Sequence, residues 1–176
     1  MSATTPASIP ATGSWKIDET HSTATFTLAH NVVATFRGGF HGITGGLEDG
    51  VLSGSLPVGN LDVPGPAVFK EHLLGEGFFD AASHPTLSFR SDDLHAHGDG
   101  SVHATGELTI KGVTKPITAD GSVRGPLEVT LADGSIGERL GITLTTRVDR
   151  RDYGMTVFAG ADWDVTIEVA LQFGKS

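Results

Sequence analysis

Gly106-Glu107-Leu108-Thr109-Ile110-Lys111-Gly112-Val113-Thr114-Lys115-Pro116-Ile117 runs as alternating side chains into a Gly-bearing turn and then resumes as a second extended segment. This spacing predicts a β-hairpin, because a period of two is the signature of a strand with one face turned inward. The same alternation recurs on both sides. Phe26, Leu28 and His30 share one face of a segment whose other face carries Thr25, Thr27 and Ala29. Leu52, Leu56 and Val58 form another such face, as do Leu87 with Phe89, and Val102, Ala104, Leu108 and Ile110. Further along come Ile117, Ala119 and Val123, then Leu127, Val129 and Leu131, then Leu140, Ile142, Leu144 and Val148. The cleanest register is the last, Trp163, Val165, Ile167, Val169, Leu171 and Phe173. Turn signals at Glu48-Asp49-Gly50, Asp99-Gly100 and Asp133-Gly134 separate the runs at spacings typical of an antiparallel meander.

Composition points the same way. The chain has 176 residues, with 24 Gly against two Met, and is most simply one domain large enough to bury a core or close a barrel; many short strands without recurring helices leave a sandwich or a barrel, which periodicity does not separate. Met1 to Gly13, rich in Ala, Thr, Ser and Pro, is expected to be a mobile arm, leaving residues 14–176 as the domain. The arm has neither the basic start nor the apolar run of an export signal, so the chain as given is expected to be cytoplasmic, or periplasmic or secreted if a signal was removed. No stretch approaches the roughly 20 apolar residues of a membrane-spanning helix, which predicts a soluble protein without stable membrane insertion. A net charge of -9 repels phosphate backbones and argues against nucleic-acid partners. There is no Cys for disulfides or thiolate metal sites.

Pro64 to Pro85 breaks the strand rhythm. Phe69, Leu73, Leu74, Phe78 and Phe79 are spaced as in a short helix followed by a loop, a cap for one end of a barrel or an apolar plug beneath it. Small residues such as Gly54 and Gly106 interrupt inward registers, which favours an elongated void; alternatively they mark strand bends. Continued alternation from Leu140 brings Arg150 to the inward side at a strand end and turns Arg147 outward. Arg150 is therefore a candidate for a ligand head group, against the alternative of an ion pair with Asp152 or Asp18 at the rim.

Catalytic and metal chemistry find little support. There is no nucleophile elbow, P-loop or dinucleotide fingerprint. Asp18, His21 and Ser22 have the residue types of a triad, but neighbours on a strand point to opposite faces. His95-Ala96-His97 has a spacing used by some zinc sites, yet it lies between acidic and Gly-rich turn residues. Neither a metal nor another cofactor is expected.

The opening hairpin resembles a signature of the YceI-like polyisoprenoid-binding family. Ile17-Asp18-Glu19-Thr20-His21-Ser22, Phe26-x-Leu28-x-His30, Arg37-Gly38-Gly39-Phe40, His72-Leu73, Phe78-Phe79-Asp80 and Val148-Asp149-Arg150-Arg151-Asp152-Tyr153-Gly154 are similar to further family elements, in family order. Asp149 stands where relatives more often carry Asn, and Tyr153 where they more often carry Phe. The resemblance implies an all-β fold, a lipocalin-like antiparallel eight-stranded barrel with a short helical cap, and no enzymatic activity. It implies a long-chain isoprenoid, quinone or other lipid as partner, and is compatible with a homodimer. The residues expected to line the ligand site are Phe26, Leu28, His30, Phe36, Phe40, Leu73, Leu74, Phe78, Phe79, Phe89, Leu144, Arg150, Tyr153 and Trp163. The competing class is a ligand-free interaction module with a filled barrel; a small hydrolase or a metal-binding protein ranks lower.

Overall fold

The computed structural model describes residues 7–176. Its strands are β1 (Ser14–Ile17), β2 (Thr23–His30), β3 (Ala34–Phe40), β4 (Thr44–Glu48), β5 (Val51–Pro57), β6 (Leu61–Asp62), β7 (Thr86–Ala96), β8 (Ser101–Ile110), β9 (Val113–Thr130), β10 (Ile136–Asp149) and β11 (Asp164–Lys175), with one helix, α1 (Ala67–Leu74), between β6 and β7. Neighbouring strands are antiparallel in the order β1-β4-β5-β7-β8-β9-β10-β11, and β11 pairs back onto β1. That pairing closes an eight-stranded barrel. β2, β3 and β6 prolong the walls at one end, since β11 pairs with β1 through Phe173 to Lys175 and with β2 through Thr166 to Ala170.

The hairpin at 106–117 forms as its sequence predicts. Ile110 pairs with Val113, and the turn residues Lys111 and Gly112 have φ of 52° and 74°. Two left-handed residues in succession make the mirror-image turn whose twist suits flanking strands. Lys111 Nζ then donates to Glu76 O at 2.6 Å, tying the hairpin tip to the loop after α1.

Two irregularities shift the inward register away from simple alternation. In β7 an extra residue is inserted between Arg90 and Asp93; the buried Ser91 hydroxyl donates to Thr105 O at 2.6 Å and holds the bulge. A Cβ at Gly106 would meet Arg90 O at 2.3 Å, so this glycine admits the bulged backbone and contributes no void. In β9 the register slips opposite Arg139–Gly141, after which Leu127 is exposed rather than inward. Val58 leaves its strand for a short 3-10 turn and is fully buried there.

The interior divides into two halves of different character. One end is filled by Trp15, Leu47, Val102, Leu140, Ile142 and Phe173, none more than 3% exposed. At the break between β1 and β2, Ser22 Oγ accepts from the Gln172 amide at 3.0 Å, which satisfies a hydroxyl buried beside that core. The other end carries α1, the tip of the β2–β3 hairpin and the segment from 150 to 163. Outward positions of β10 and β11, such as Thr143, Thr145, Arg147, Thr166, Glu168 and Gln172, are polar, unlike the apolar belt of a membrane barrel. Among the described residues no helix is long and apolar enough to cross a membrane.

Residues 1–6 of the expected N-terminal arm lie outside the described residues. In its described part, Ala7 and Ile9 lie against the core and the Ser8 amide donates to Gly125 O at 3.1 Å.

Candidate functional site

The hollow end encloses a cavity of about 290 Å³ with walls from every barrel strand except β1 and β4, from β2 and β3, and from α1. Along β11 the lining runs from Leu171 to Val165, a wall about 20 Å long at the rise of an extended strand. An almost wholly apolar space of this length suits the tail of a long-chain lipid. Gly54 keeps the deep end open: a Cβ there would find its nearest neighbours, Ile43 Cγ2 and Thr44 O, at 3.8 Å. Its inward spacing between Leu52 and Leu56 is one place where a small residue does leave room, as the sequence suggests.

Phenylalanines form the wall nearest the cap. The Phe26 ring lies 6.1 Å from Phe36, 5.9 Å from Phe40 and 6.2 Å from Phe79, while Phe36 meets Phe69 of α1 edge-on at 5.5 Å. Gly38 makes this possible, since a Cβ there would fall 2.4 Å from Phe26 Cζ. β2, β3, α1 and the loop after it are thus joined through aromatic edges and faces. Phe78 stands edge-on to His72, which is exposed at the mouth.

Of the residues expected at the site, Phe26, Leu28, His30, Phe36, Phe40, Leu73, Phe78, Phe79, Phe89, Leu144, Arg150 and Tyr153 line the cavity. Two do not. Leu74 is half-buried and packs against the core without bordering the cavity. Trp163 precedes β11, leaves its inward register, and stacks outside the cavity against the Arg150 guanidinium, 4.2 Å from ring centroid to Cζ. Residues the sequence reading did not assign to the site include Phe69, Ile43, Ile117 and Phe158. Phe69 follows from the cap spacing and Ile117 from an inward register, whereas Ile43, between β3 and β4, and Phe158 lie in stretches without periodicity.

Arg150 is not placed as the head-group reading requires. It is 5% exposed, and all five of its donors go to backbone carbonyls. Nε donates to Asp162 O at 3.0 Å, Nη1 to Met155 O and Val157 O at 2.8 and 2.9 Å, and Nη2 to Phe158 O and Ala161 O at 2.9 and 3.0 Å. No donor is left for a ligand. Nor is it ion-paired with Asp152 or Asp18: it is a pin through the loop 155–162. Burial lowers its pKa from the ordinary value, although a guanidinium remains a cation in water-accessible conditions. Arg147 does point outward, to an exposed pair with Asp164 at 3.4 Å.

The turn carrying Arg150 is built locally. Asp149 accepts from the Arg151 amide at 2.9 Å and grips the Arg151 guanidinium, and Gly154 ends the turn at a φ of 77°. The Arg151 hydrogen bonds hold the Asp149 carboxyl down at about 2, below its ordinary 3.8. A carboxyl so depressed stabilises the fold above its unfolded pKa and loses that contribution as pH falls toward 2. The melting temperature is therefore expected to drop between about pH 4 and 2, and Asp149→Asn to flatten that drop; equal slopes in the two proteins would disprove the link.

Tyr153 is 1% exposed, and among the described residues its hydroxyl has no hydrogen-bond partner. Burial pushes its pKa up to about 12, so it stays a neutral phenol. His30 lines the mouth, accepts from Asn31 Nδ2 at 3.2 Å and stacks on Phe158 at 5.7 Å.

Other chemistry-bearing residues are not assembled. His21 Nδ1 does meet Asp18 Oδ2 at 2.9 Å, which depresses the Asp18 pKa, but Ser22 turns inward to Gln172 and takes no part. His95 pairs with Asp93, and His103 with Asp120, on the outer surface. Among the described residues no three His, Cys, Asp or Glu side chains are grouped to hold a metal ion.

Comparison with known proteins matches residues 15–173 to the YceI-like domain. A UPF0312 protein of Vibrio cholerae is 26% identical over 149 residues, covering 81% of this chain and 77% of its own. Solved structures share the fold. A polyisoprenoid binding domain from Saccharophagus degradans, implicated in plant cell wall breakdown, superposes with a TM-score of 0.73 at 15% identity over 92% of this chain and 98% of its own. BcnA of Burkholderia cenocepacia gives 0.71 at 17% identity over 89% and 98%. The YCEI protein of Campylobacter jejuni gives 0.68 at 20% identity over 82% and 87%.

Proposed function

The chain belongs to the YceI-like domain family, and on that footing we propose that its hollow end holds the tail of a long-chain lipid, an isoprenoid above all, as a carrier or store and not as a catalyst. The observation that carries this reading is the continuous apolar cavity lined by Phe26, Phe36, Phe40, Phe79, Leu144 and Val165. Each methylene moved there from water is worth about 0.8 kcal/mol, so a few prenyl units offset the ordering of a flexible chain. Tail chemistry is read through length and width, with few polar groups to choose among head groups. Support also comes from the polyisoprenoid binding domain that shares the fold. Quinones, whose tails are isoprenoid, are the second ligand class of this proposal.

Organic extracts of natively purified protein, analysed by mass spectrometry, are expected to contain a long-chain lipophile. Protein stripped of lipid should melt higher when titrated with geranylgeraniol or a prenyl quinone, since ligand binds only the native state. Saturation near a hundred times Kd stabilises by about 2.7 kcal/mol, or roughly 5 to 10 °C in a domain of this size. An extract without lipophile, together with no shift for either ligand, would return the protein to the class of ligand-free interaction modules.

A further inference from the structure

The open end of the barrel carries a group of exposed apolar side chains, of which Phe158 alone also borders the cavity. Val32 and Val33, at the tip between β2 and β3, are 95% and 89% exposed; Val68 of α1 is 65%, Val157 42% and Phe158 52%. These segments are joined around one opening. The Asn31 amide donates to Gly160 O at 2.6 Å, which seats the tip on the loop 155–161. A Cβ at Gly77 would sit 3.1 Å from Val157 Cγ2, which seats that loop on the segment after α1. Phe36, on the strand leaving the tip, meets Phe69, the neighbour of Val68.

Val32 is strained as well as exposed. Its φ is 66°, a region that β-branched residues seldom enter, and it follows Asn31 at 51° in a turn where glycine would be unstrained. The Asn31 amide on Gly160 O and the Val33 amide on His30 O hold the turn in this form, and neither bond needs the Val32 side chain. Strain at an exposed position is a pointer to function outside the fold.

Three occupants fit exposed apolar groups, and they differ in what they demand of the surface. A second copy of the chain needs roughly 800 Å² on each side, more than four valines and one phenylalanine at these exposures supply. A partner peptide needs a free strand edge or a groove, and the edge that β3 leaves beyond its pair with β6 runs beside Val63 and Phe69. A bilayer needs only a few apolar side chains projecting past the rim. The flanking charges are of both signs, Arg37, Lys70 and Arg151 against Asp62, Glu71 and Asp162, and the whole chain carries -9. That balance gives no attraction to an anionic surface.

We propose that this rim is a docking surface for a lipid bilayer of neutral, zwitterionic head groups, with Val32 and Val33 inserted among the acyl chains and the cavity mouth held against the interface. The inference rests on the lipid-tail reading of the cavity for its purpose, but it is tested apart from it. In contact with a bilayer, a tail passes between membrane and barrel without exposing its length to water.

The test is flotation of the lipid-stripped protein with vesicles of pure phosphatidylcholine, and with vesicles containing added phosphatidylglycerol. Wild type is expected to float with phosphatidylcholine vesicles, with no gain from phosphatidylglycerol and no loss in high salt. Val32→Gly with Val33→Ser, which relieves the turn and removes both side chains, is expected to bind vesicles at least tenfold more weakly. The same variant should melt no lower than wild type and should show the wild-type thermal shift with detergent-dispersed geranylgeraniol, because neither valine lines the cavity. Val33→Trp should bind more tightly than wild type. Wild type that stays with the aqueous phase, a double variant that floats equally well, or binding that requires phosphatidylglycerol and vanishes in salt would each overturn the proposal. So would a concentration-dependent dimer abolished by the double variant, which would assign the rim to a second copy. Vesicle binding without any geranylgeraniol shift would sink the cavity reading and leave the docking surface standing.

Discussion

Arg150→Ala is expected to lower stability by roughly 3 to 5 kcal/mol and to weaken every lipid to the same degree. The substitution removes a buried cation and strands the carbonyls of Met155, Val157, Phe158, Ala161 and Asp162, which the guanidinium now satisfies together. The loop they belong to supplies Phe158 to the mouth, so its release disorders the opening for all tails alike. Arg150→Lys should recover little, since a compact ammonium with three donors cannot reach five diverging acceptors. Arg147→Ala provides the contrast. Its pair with Asp164 is exposed, and the change should stay within about 0.5 kcal/mol. Denaturant melts of the three variants check the order. A head-group role would show differently, as a selective loss of phosphorylated or quinone ligands with the fold intact.

How Arg150 was legible, and how it was not, shows where sequence reasoning stops. Alternation from Leu140 through Leu144 correctly brings it inward at the end of β10, because a period of two needs only local geometry. What its donors meet depends on the path of residues 155–162, a stretch without periodicity whose carbonyls leave no trace in side-chain identity. Trp163 fails for the related reason that alternation was extended one step past the start of β11. Leu127 and Gly106 fail because bulges insert residues that a repeating pattern cannot register. The hairpin at 106–117, the strands, the helical cap and most of the phenylalanine wall were legible, since each rests on apolar spacing or turn chemistry, whereas the closing of the strands into a barrel was implied by the family resemblance. The division of the interior was not: Leu140 and Leu144 share one register, yet the first is sealed in the filled end and the second lines the cavity. Which inward residues meet across a barrel is set by strand stagger and by neighbours distant in sequence.

That division leads to the largest expected effect on binding, at Gly54. The residue sits on β5 where the cavity approaches the filled end, with Ile43 and Ile17 as its nearest side chains. It has ordinary extended geometry, and a Cβ there finds no atom closer than 3.8 Å, so Gly54→Leu can enter without displacing backbone. The new side chain would take the space of roughly four methylenes at the deep end of the lipid site. At about 0.8 kcal/mol for each methylene refused, a tail long enough to reach Gly54 should lose about 3 kcal/mol, on the order of 100-fold in affinity. A tail too short to reach it should lose nothing. Stability should hold or rise, because the leucine fills apolar space that no side chain now occupies. Phe173→Ala is the control from the other half of the barrel: fully buried and outside the cavity, it should cost roughly 3 to 5 kcal/mol in stability while leaving tail-length preference unchanged. Titrating farnesol, geranylgeraniol and a longer polyprenol against the three proteins measures both effects. Equal weakening of short and long prenols by Gly54→Leu would mean that tails do not thread toward the filled end, and the lipid would then have to lie across the mouth, against Phe36, Phe69 and Phe158.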